Sequence, residues 1–438
     1  LVSLGCPKNL VDSEVILGLL SKEGHLLTTD PLRAEVLIVN TCSFIEEATK
    51  EAIETILQFS RLKKEGRCRL LIVSGCLPQR YGKVLEKELP EVDLFVGTGD
   101  FQNLPRFLAK KPKKKSFLSS PTFLYNERTP RILSTPPFIA YLKIAEGCSN
   151  ACTFCTVPKI RGRYRSRKPR SVLEEAQRLA DQGVQELILI AQDTTAYGRD
   201  LQDGTNLEKL LKYLIKVEGL RWIRILYSYP KMNNFTDGLL ELMAQEEKIC
   251  SYLDLPIQHI DDEILKRMGR RSRGAEIRSL LKRIRAFLPE VSLRSSLIAG
   301  FPGEKESQFK ALLDFVEETQ FDHLGVFKYS AEEGTPAPRL PHPISESVKE
   351  ERLRTLMEIQ KKISLKKYQK MVGEKRVVLV EGPQRERSVL RGRLQTQAPE
   401  IDGSVFLNGK AQPGDWVEAR MTQALPYDLV AQIERVLS

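Results

Sequence analysis

Short apolar runs alternate with amphipathic stretches through the first hundred residues, the pattern of strands buried between helices. Strands are predicted at residues 1–4, 36–39, 70–73 and 94–96. Helices are predicted near 10–21 and 44–59, with a further helical stretch ending at Leu89. This alternation predicts an α/β unit, a doubly wound parallel sheet spanning residues 1–104. Between Pro105 and Pro137 six prolines break any periodicity, so 105–133 reads as a linker. From Phe138 the alternation resumes, with strands predicted near 141–144, 186–190, 222–226, 252–255, 291–298 and 323–329. Six such units fall short of the eight that close a full barrel, so residues 134–370 read as a partial (β/α)6 barrel, open enough to admit a bulky substrate. Ser347 and Glu350 have capping-box spacing and predict a long helix to about Met371 that leads away from the barrel. After Gly373 short strands are predicted at 376–380, 388–394, 404–407 and 416–421, separated by Asp402-Gly403, Asn408-Gly409 and Pro413-Gly414-Asp415. Residues 371–438 therefore predict a small all-β barrel.

Cysteine spacing adds chemistry to this scaffold. Cys148, Cys152 and Cys155 form a C-x-x-x-C-x-x-C triplet directly after the first barrel strand. Structural zinc usually takes four protein ligands, whereas three thiolates on one loop suit a four-iron four-sulfur cluster with one iron left open to a chelating molecule. Cys6, Cys42 and Cys76 each follow one of the first three predicted strands. The carboxyl ends of parallel strands share one edge, so residues 36 and 34 positions apart meet there and predict a second three-cysteine cluster. Cys68 and Cys250 lack such partners and read as ordinary thiols. Eight cysteines used in this way suit a reducing compartment.

Net charge is +11, and its location is informative. Residues 106–170 hold 16 Lys or Arg against Glu127 and Glu146 alone, a basic belt that suggests a polyanion such as RNA or, for Lys110 to Lys115, a solvated linker. Arg161, Arg163, Arg165 and Arg167 alternate after the triplet, as carboxylate or phosphate ligands or as a solvated stretch. Residues 371–438 carry nine basic and nine acidic side chains, a neutral barrel. The chain contains no run of 18 apolar residues, so no membrane span is predicted and a cytoplasmic location is expected. It opens at Leu1 inside a predicted strand, so residues are expected to precede it.

Several motifs together carry a family resemblance. They are Gly5-Cys6-Pro7-Lys8-Asn9 with Asp12-Ser13-Glu14, the triplet followed by Arg161-Gly162-Arg163, Gln192-Asp193-Thr194-Thr195, Tyr252-Leu253-Asp254-Leu255-Pro256, and Gly300-Phe301-Pro302-Gly303-Glu304. The chain resembles the radical S-adenosylmethionine (SAM) methylthiotransferases over nearly its whole length, including a terminal barrel of the TRAM type. The branch of that family acting on tRNA typically begins Gly-Cys-Gln-Met-Asn. Gly5-Cys6-Pro7-Lys8-Asn9 is instead similar to the branch that modifies small-subunit ribosomal protein twelve. The resemblance implies two [4Fe-4S] clusters and SAM as cofactors. Cys148, Cys152 and Cys155 would generate a 5′-deoxyadenosyl radical, and Cys6, Cys42 and Cys76 would present the sulfur. The implied product is a methylthiolated β-carbon of an aspartate, with methylthiolation of tRNA adenosine as the alternative. SAM contacts are expected from Phe154, Gln192, Gln258, Gly300 and Glu304, although Phe154 also reads as a shield or a packing residue. Further implied partners are a low-potential electron donor and, through the basic belt, RNA. A neutral terminal barrel fits a basic protein substrate better than tRNA.

Overall fold

Five parallel strands, Val2–Ser3, Val36–Thr41, Leu70–Gly75, Leu94–Gly97 and Ser116–Phe117, form the first sheet in simple chain order. The computed structural model describes residues 1–110, 113–384 and 389–437. Alternate strand residues point to opposite faces, and both faces are apolar. Leu37, Val39, Leu71, Val73 and Phe95 pack on Ala52, Ile56 and Phe59 of the helix Glu46–Glu65. Ile38, Ile72, Leu94 and Val96 share a core with Val11, Val15, Ile16 and Leu20 of the helix Pro7–Lys22. Helices therefore cover both faces.

The fifth strand corrects the linker reading. A helix, Leu104–Lys110, and the strand Ser116–Phe117 lie where prolines predicted no regular structure, with Phe107 and Phe117 stacked at 4.0 Å. Pro105 falls in the first turn of that helix, where a missing N–H costs nothing. Lys111 and Pro112 of the lysine-rich run lie outside the described residues. The segment beyond is a packed strap. A Cβ on Gly18 would stand 2.4 Å from the Pro130 carbonyl carbon. Arg131, its side chain 3% exposed, pairs with Glu14 at 2.6 Å and with Glu175 at 2.9 Å.

The second unit holds six parallel strands. Ile139–Lys143, Glu186–Ile190 and Trp222–Ile225 form one sheet, and Tyr252–Asp254, Ser292–Ala299 and His323–Lys328 the other. A lone bridge, Ile223 to Ile249, and a bond from Ser228 N to Asp254 O at 2.9 Å join them into a partial barrel. Outward residues such as Ala140, Leu142, Leu187 and Leu189 pack against the surrounding helices. The long helix is Glu346–Met371, with Ser345 as its cap. No capping box forms: Ser345 Oγ meets Ser347 Oγ, and Glu350 pairs with Lys328 instead. Nor does this helix leave the barrel. Leu356 and Ile363 enter the main core, and Gln360 Nε2 donates to Phe321 O, because positions four and three apart form one buried stripe.

Five strands, Lys375–Pro383, Leu390–Arg393, Val405–Asn408, Trp416–Ala424 and Leu429–Leu437, close the terminal barrel. The last was not predicted, although Leu429, Ala431 and Ile433 alternate inward from the surface residues. Ser388, the predicted start of the second strand, lies outside the described residues. This barrel closes the amino-terminal end of the larger one. Glu186, at a strand start, binds Arg393; Tyr252 Oη donates to Asp402; Ser292 Oγ donates to Thr396 O. Trp222 and Trp416 meet edge to face at 4.5 Å. Among the described residues no helix is long and apolar enough to cross a membrane.

Candidate active site

Adjacent parallel strands lie about 4.8 Å apart, so side chains leaving three neighbouring strand ends converge without a long loop. Cys6 caps the helix Pro7–Lys22, Cys42 follows the second strand, and Cys76 opens the helix Cys76–Tyr81. Gly5 adopts φ +85°, and a Cβ there would stand 2.3 Å from Cys42 Cβ, so the first two turns are in contact. Asn40 Nδ2 donates to Asn9 O at 3.0 Å, while Asn9 Nδ2 donates to Leu4 O at 2.8 Å, fixing the first turn to the second strand. Burial and the neighbouring Cys76 and Cys6 push the Cys42 thiol up to about 12. For Cys6 burial is outweighed by Lys8, Arg161 and the helix-end N–H groups, which hold its thiol below the ordinary value.

The triplet loop lies at the opposite side of the same space. Cys148 N donates to Gly162 O, Thr153 N to Met268 O, and Ala337 N to Thr153 O, so three separate segments hold it. Cys155 is pushed up to about 12 by burial and by Cys152 and Cys148. Among the described residues no three Cys, His, Asp or Glu side chains gather tightly enough for a single metal ion. Thiolates of a four-iron cluster each bind a different iron, so they ring a volume.

All six cysteines line one cavity of about 510 Å³. Phe154, Gln192 and Gln258 also line it. Gln192 spends its amide nitrogen on Glu146 at 2.6 Å and leaves Oε1 buried without a partner, an acceptor suited to a donor on a ligand. Gln258 and Tyr227 hold left-handed backbones, φ 76° and 63°, of the kind that collects at functional sites. Phe154 also packs edge to face with Phe301 at 6.4 Å. Gly300 and Glu304 do not line this cavity. Glu304, 2% exposed, accepts from Gly300 N and Phe301 N and faces Arg352 at 3.4 Å, holding the turn closed. His259 is fully buried beside it, 3.8 Å away.

Two buried ionic clasps join the lobes. Lys143 contacts Asp12 at 2.5 Å and Glu146 at 2.6 Å, and Arg161 binds Asp12 while its Nη2 reaches Cys76 Sγ at 3.4 Å. Across the cavity Arg80 pairs with Glu332 at 2.7 Å, both 6% exposed, and Glu46 N donates to the same carboxylate. Arg167 likewise binds Glu175. Arg131, Lys143, Arg161 and Arg167 of the basic belt thus neutralise carboxylates of this chain, leaving exposed, among other described residues, Arg106, Lys110, Lys113, Lys114, Lys115, Lys159, Arg163, Lys168 and Arg170. Sequence reading missed Glu146, Arg80, Glu332, Tyr227 and Arg270 as site residues, because their partners lie on other elements. Cys68 and Cys250 are buried away from the cavity.

Three family models match consecutive parts of the chain: the uncharacterized protein family UPF0004 over residues 1–97, the radical SAM superfamily over 142–316, and the TRAM domain over 372–433. The chain is 52% identical over 438 residues to the ribosomal protein uS12 methylthiotransferase RimO of Geotalea uraniireducens, covering 99% of this chain and 97% of that protein. It is also 52% identical to the protein of that name from Geobacter sulfurreducens, covering 99% and 98%. Among solved structures the radical SAM methyltransferase TsrM from Kitasatospora setae, bound to tryptophan and a SAM analogue, superposes with a TM-score of 0.57 at 14% identity, covering 82% of this chain and 87% of that one, a likeness of fold. Full-length identity at this level, with the same three consecutive domains, places this chain in the radical SAM methylthiotransferase family, enzymes that use a [4Fe-4S] cluster and SAM.

Proposed function

We propose that the chain adds a methylthio group to the β-carbon of an aspartate in ribosomal protein uS12, using two [4Fe-4S] clusters and SAM. The observation that carries this reading is the placement of two cysteine triads, one from each lobe, on a single cavity. Cys148, Cys152 and Cys155 would hold the cluster that binds SAM, and Cys6, Cys42 and Cys76 the cluster that presents sulfur. When bound, these groups supply an electron for SAM cleavage, a hydrogen-abstracting radical and a sulfur donor.

The chain's own residues orient and insulate this chemistry. Gln192 Oε1 offers an acceptor to SAM, and Phe154 and Gln258 shape the same wall. Burial pushes the Cys76 thiol up, and the buried charge of Arg161 beside its sulfur opposes that push without overcoming it. The Asp12–Lys143 and Arg80–Glu332 clasps fix the distance between the lobes. The lobe ending near residue 104 carries the sulfur site, the core from 134 to 370 the radical site, and residues 371–438 seal the barrel floor. The exposed lysines near Lys113 to Lys115 would touch RNA around the substrate in the ribosomal subunit. A low-potential donor would deliver the electrons, and the enzyme would act in the cytoplasm.

Anaerobically reconstituted protein, given SAM, reductant and purified uS12, should produce one methylthioaspartate detectable by peptide mass spectrometry. Modification of tRNA adenosine with uS12 unchanged overturns the reading.

A further inference from the structure

Among the described residues four cations line the cavity, and three of them already have polar partners. Arg161 is bound to Asp12; Lys328 is paired with Glu346 and Glu350; Arg270 donates to Pro256 O at 2.5 Å and lies over the Tyr229 ring. The lining carboxylate, Glu332, is taken by Arg80. Lys8 differs. Among the described residues its ammonium has no hydrogen bond or ion pair and rests 3.1 Å from the centroid of the Tyr227 ring. It springs from the turn that carries Cys6, yet its tip lies on the barrel lobe. Tyr227 is held there in a left-handed backbone, with its N–H donated to Asp254 at 3.0 Å and its carbonyl accepting from Thr194 N at 3.0 Å. A ring face holds a cation in place and leaves ammonium N–H groups for another acceptor.

Resting on the uS12 reading above, we infer that Lys8 binds the side-chain carboxylate of the substrate aspartate and so selects aspartate over asparagine. The β-carbon of aspartate is bonded directly to that carboxylate carbon, so anchoring the carboxylate at the lobe boundary places the reacting carbon between the two cysteine triads. A residue so placed is a specificity determinant: replacing the carboxylate by an amide exchanges a charge-assisted contact for a neutral one.

The test measures binding of a fluorescently labelled peptide from the uS12 target loop, in aspartate and asparagine forms, to the reconstituted protein with SAM under anaerobic conditions. The parent should bind the aspartate form roughly tenfold to a hundredfold more tightly. Lys8→Met should bring the aspartate peptide down to the affinity of the asparagine peptide, and Lys8→Arg should retain most of the preference. An undiminished preference in Lys8→Met overturns the inference. So does an equal loss for both peptides, since Lys8 would then serve the neighbouring sulfur centre or the fold. Failure of the parent to methylthiolate the aspartate peptide and intact uS12 alike would instead overturn the functional reading, and the inference with it.

Discussion

Replacing Glu186 by glutamine should loosen the terminal barrel from the core. Glu186 is fully buried and accepts from Arg224 Nε at 2.8 Å and from Arg393 Nη2 at 2.5 Å. Glutamine keeps the shape and removes the charge. Arg393 would still hold Glu381 at 2.5 Å, but Arg224, equally buried, would lose its counter-ion and keep neutral partners, the carbonyl of Gln395 at 2.6 Å and the Tyr252 and Trp222 rings. An arginine left without its counter-ion in such a place costs about 3–5 kcal/mol. With a urea slope of about 3 kcal/mol/M, the midpoint should fall by about 1–1.7 M. The readout is built in: Trp222 and Trp416, the two tryptophans of the chain, touch across this interface, so their fluorescence follows its separation. Adding Arg224→Met removes the stranded charge and should return about 2 kcal/mol or more, a coupling outside the additivity of independent sites. A midpoint within about 0.3 M of the parent, or additive effects in the double variant, would refute the claim that the ion network joins the two barrels.

Arg131→Met should destabilise by about 3–5 kcal/mol, because Glu14 and Glu175 are both buried behind it; hydrogen exchange should rise in the helices Pro7–Lys22 and Pro169–Asp181 together. Arg80→Ala strands the buried Glu332 and should raise exchange in residues 42–46 and 330–334 while leaving the Arg131 region unchanged. Burial pushes the Glu146 carboxyl up, but Lys143 and Arg161 outweigh it and hold it at about 2. A carboxyl held below its unfolded value contributes fully above that value and loses its contribution as pH falls toward the native one. Urea midpoints should therefore hold from pH 7 to about 4.5 and decline toward pH 2, and Glu146→Gln should flatten part of that decline. In metal-free protein at pH 8, iodoacetamide should label Cys6 faster than Cys42 or Cys155, which stand near 12; equal labelling by peptide mass spectrometry would contradict this order.

Local rules made much of this protein legible in advance. Strand ends, helix stripes and the two cysteine patterns follow from spacing along the chain, and parallel neighbours bring Cys6, Cys42 and Cys76 to one edge whatever else the fold does. Prolines misled at residues 104–117, because a proline in a helix's first turn leaves no trace distinguishing it from one in a loop. The basic belt was legible only in part. Arg131 and Lys143 read as members of a polyanion-binding stretch, and Arg161 and Arg167 as carboxylate or phosphate ligands or a solvated stretch, but that their partners are Glu14, Asp12 and Glu175 of this chain is set by folding. Tertiary structure alone decided that both cysteine triads share a cavity, that the terminal barrel seals the opposite end, and that Lys8 enters the site resting on the Tyr227 ring, with no hydrogen bond or ion pair among the described residues. A charge in a sequence has a sign, but its energy depends on what surrounds it, and that is fixed only when distant segments meet.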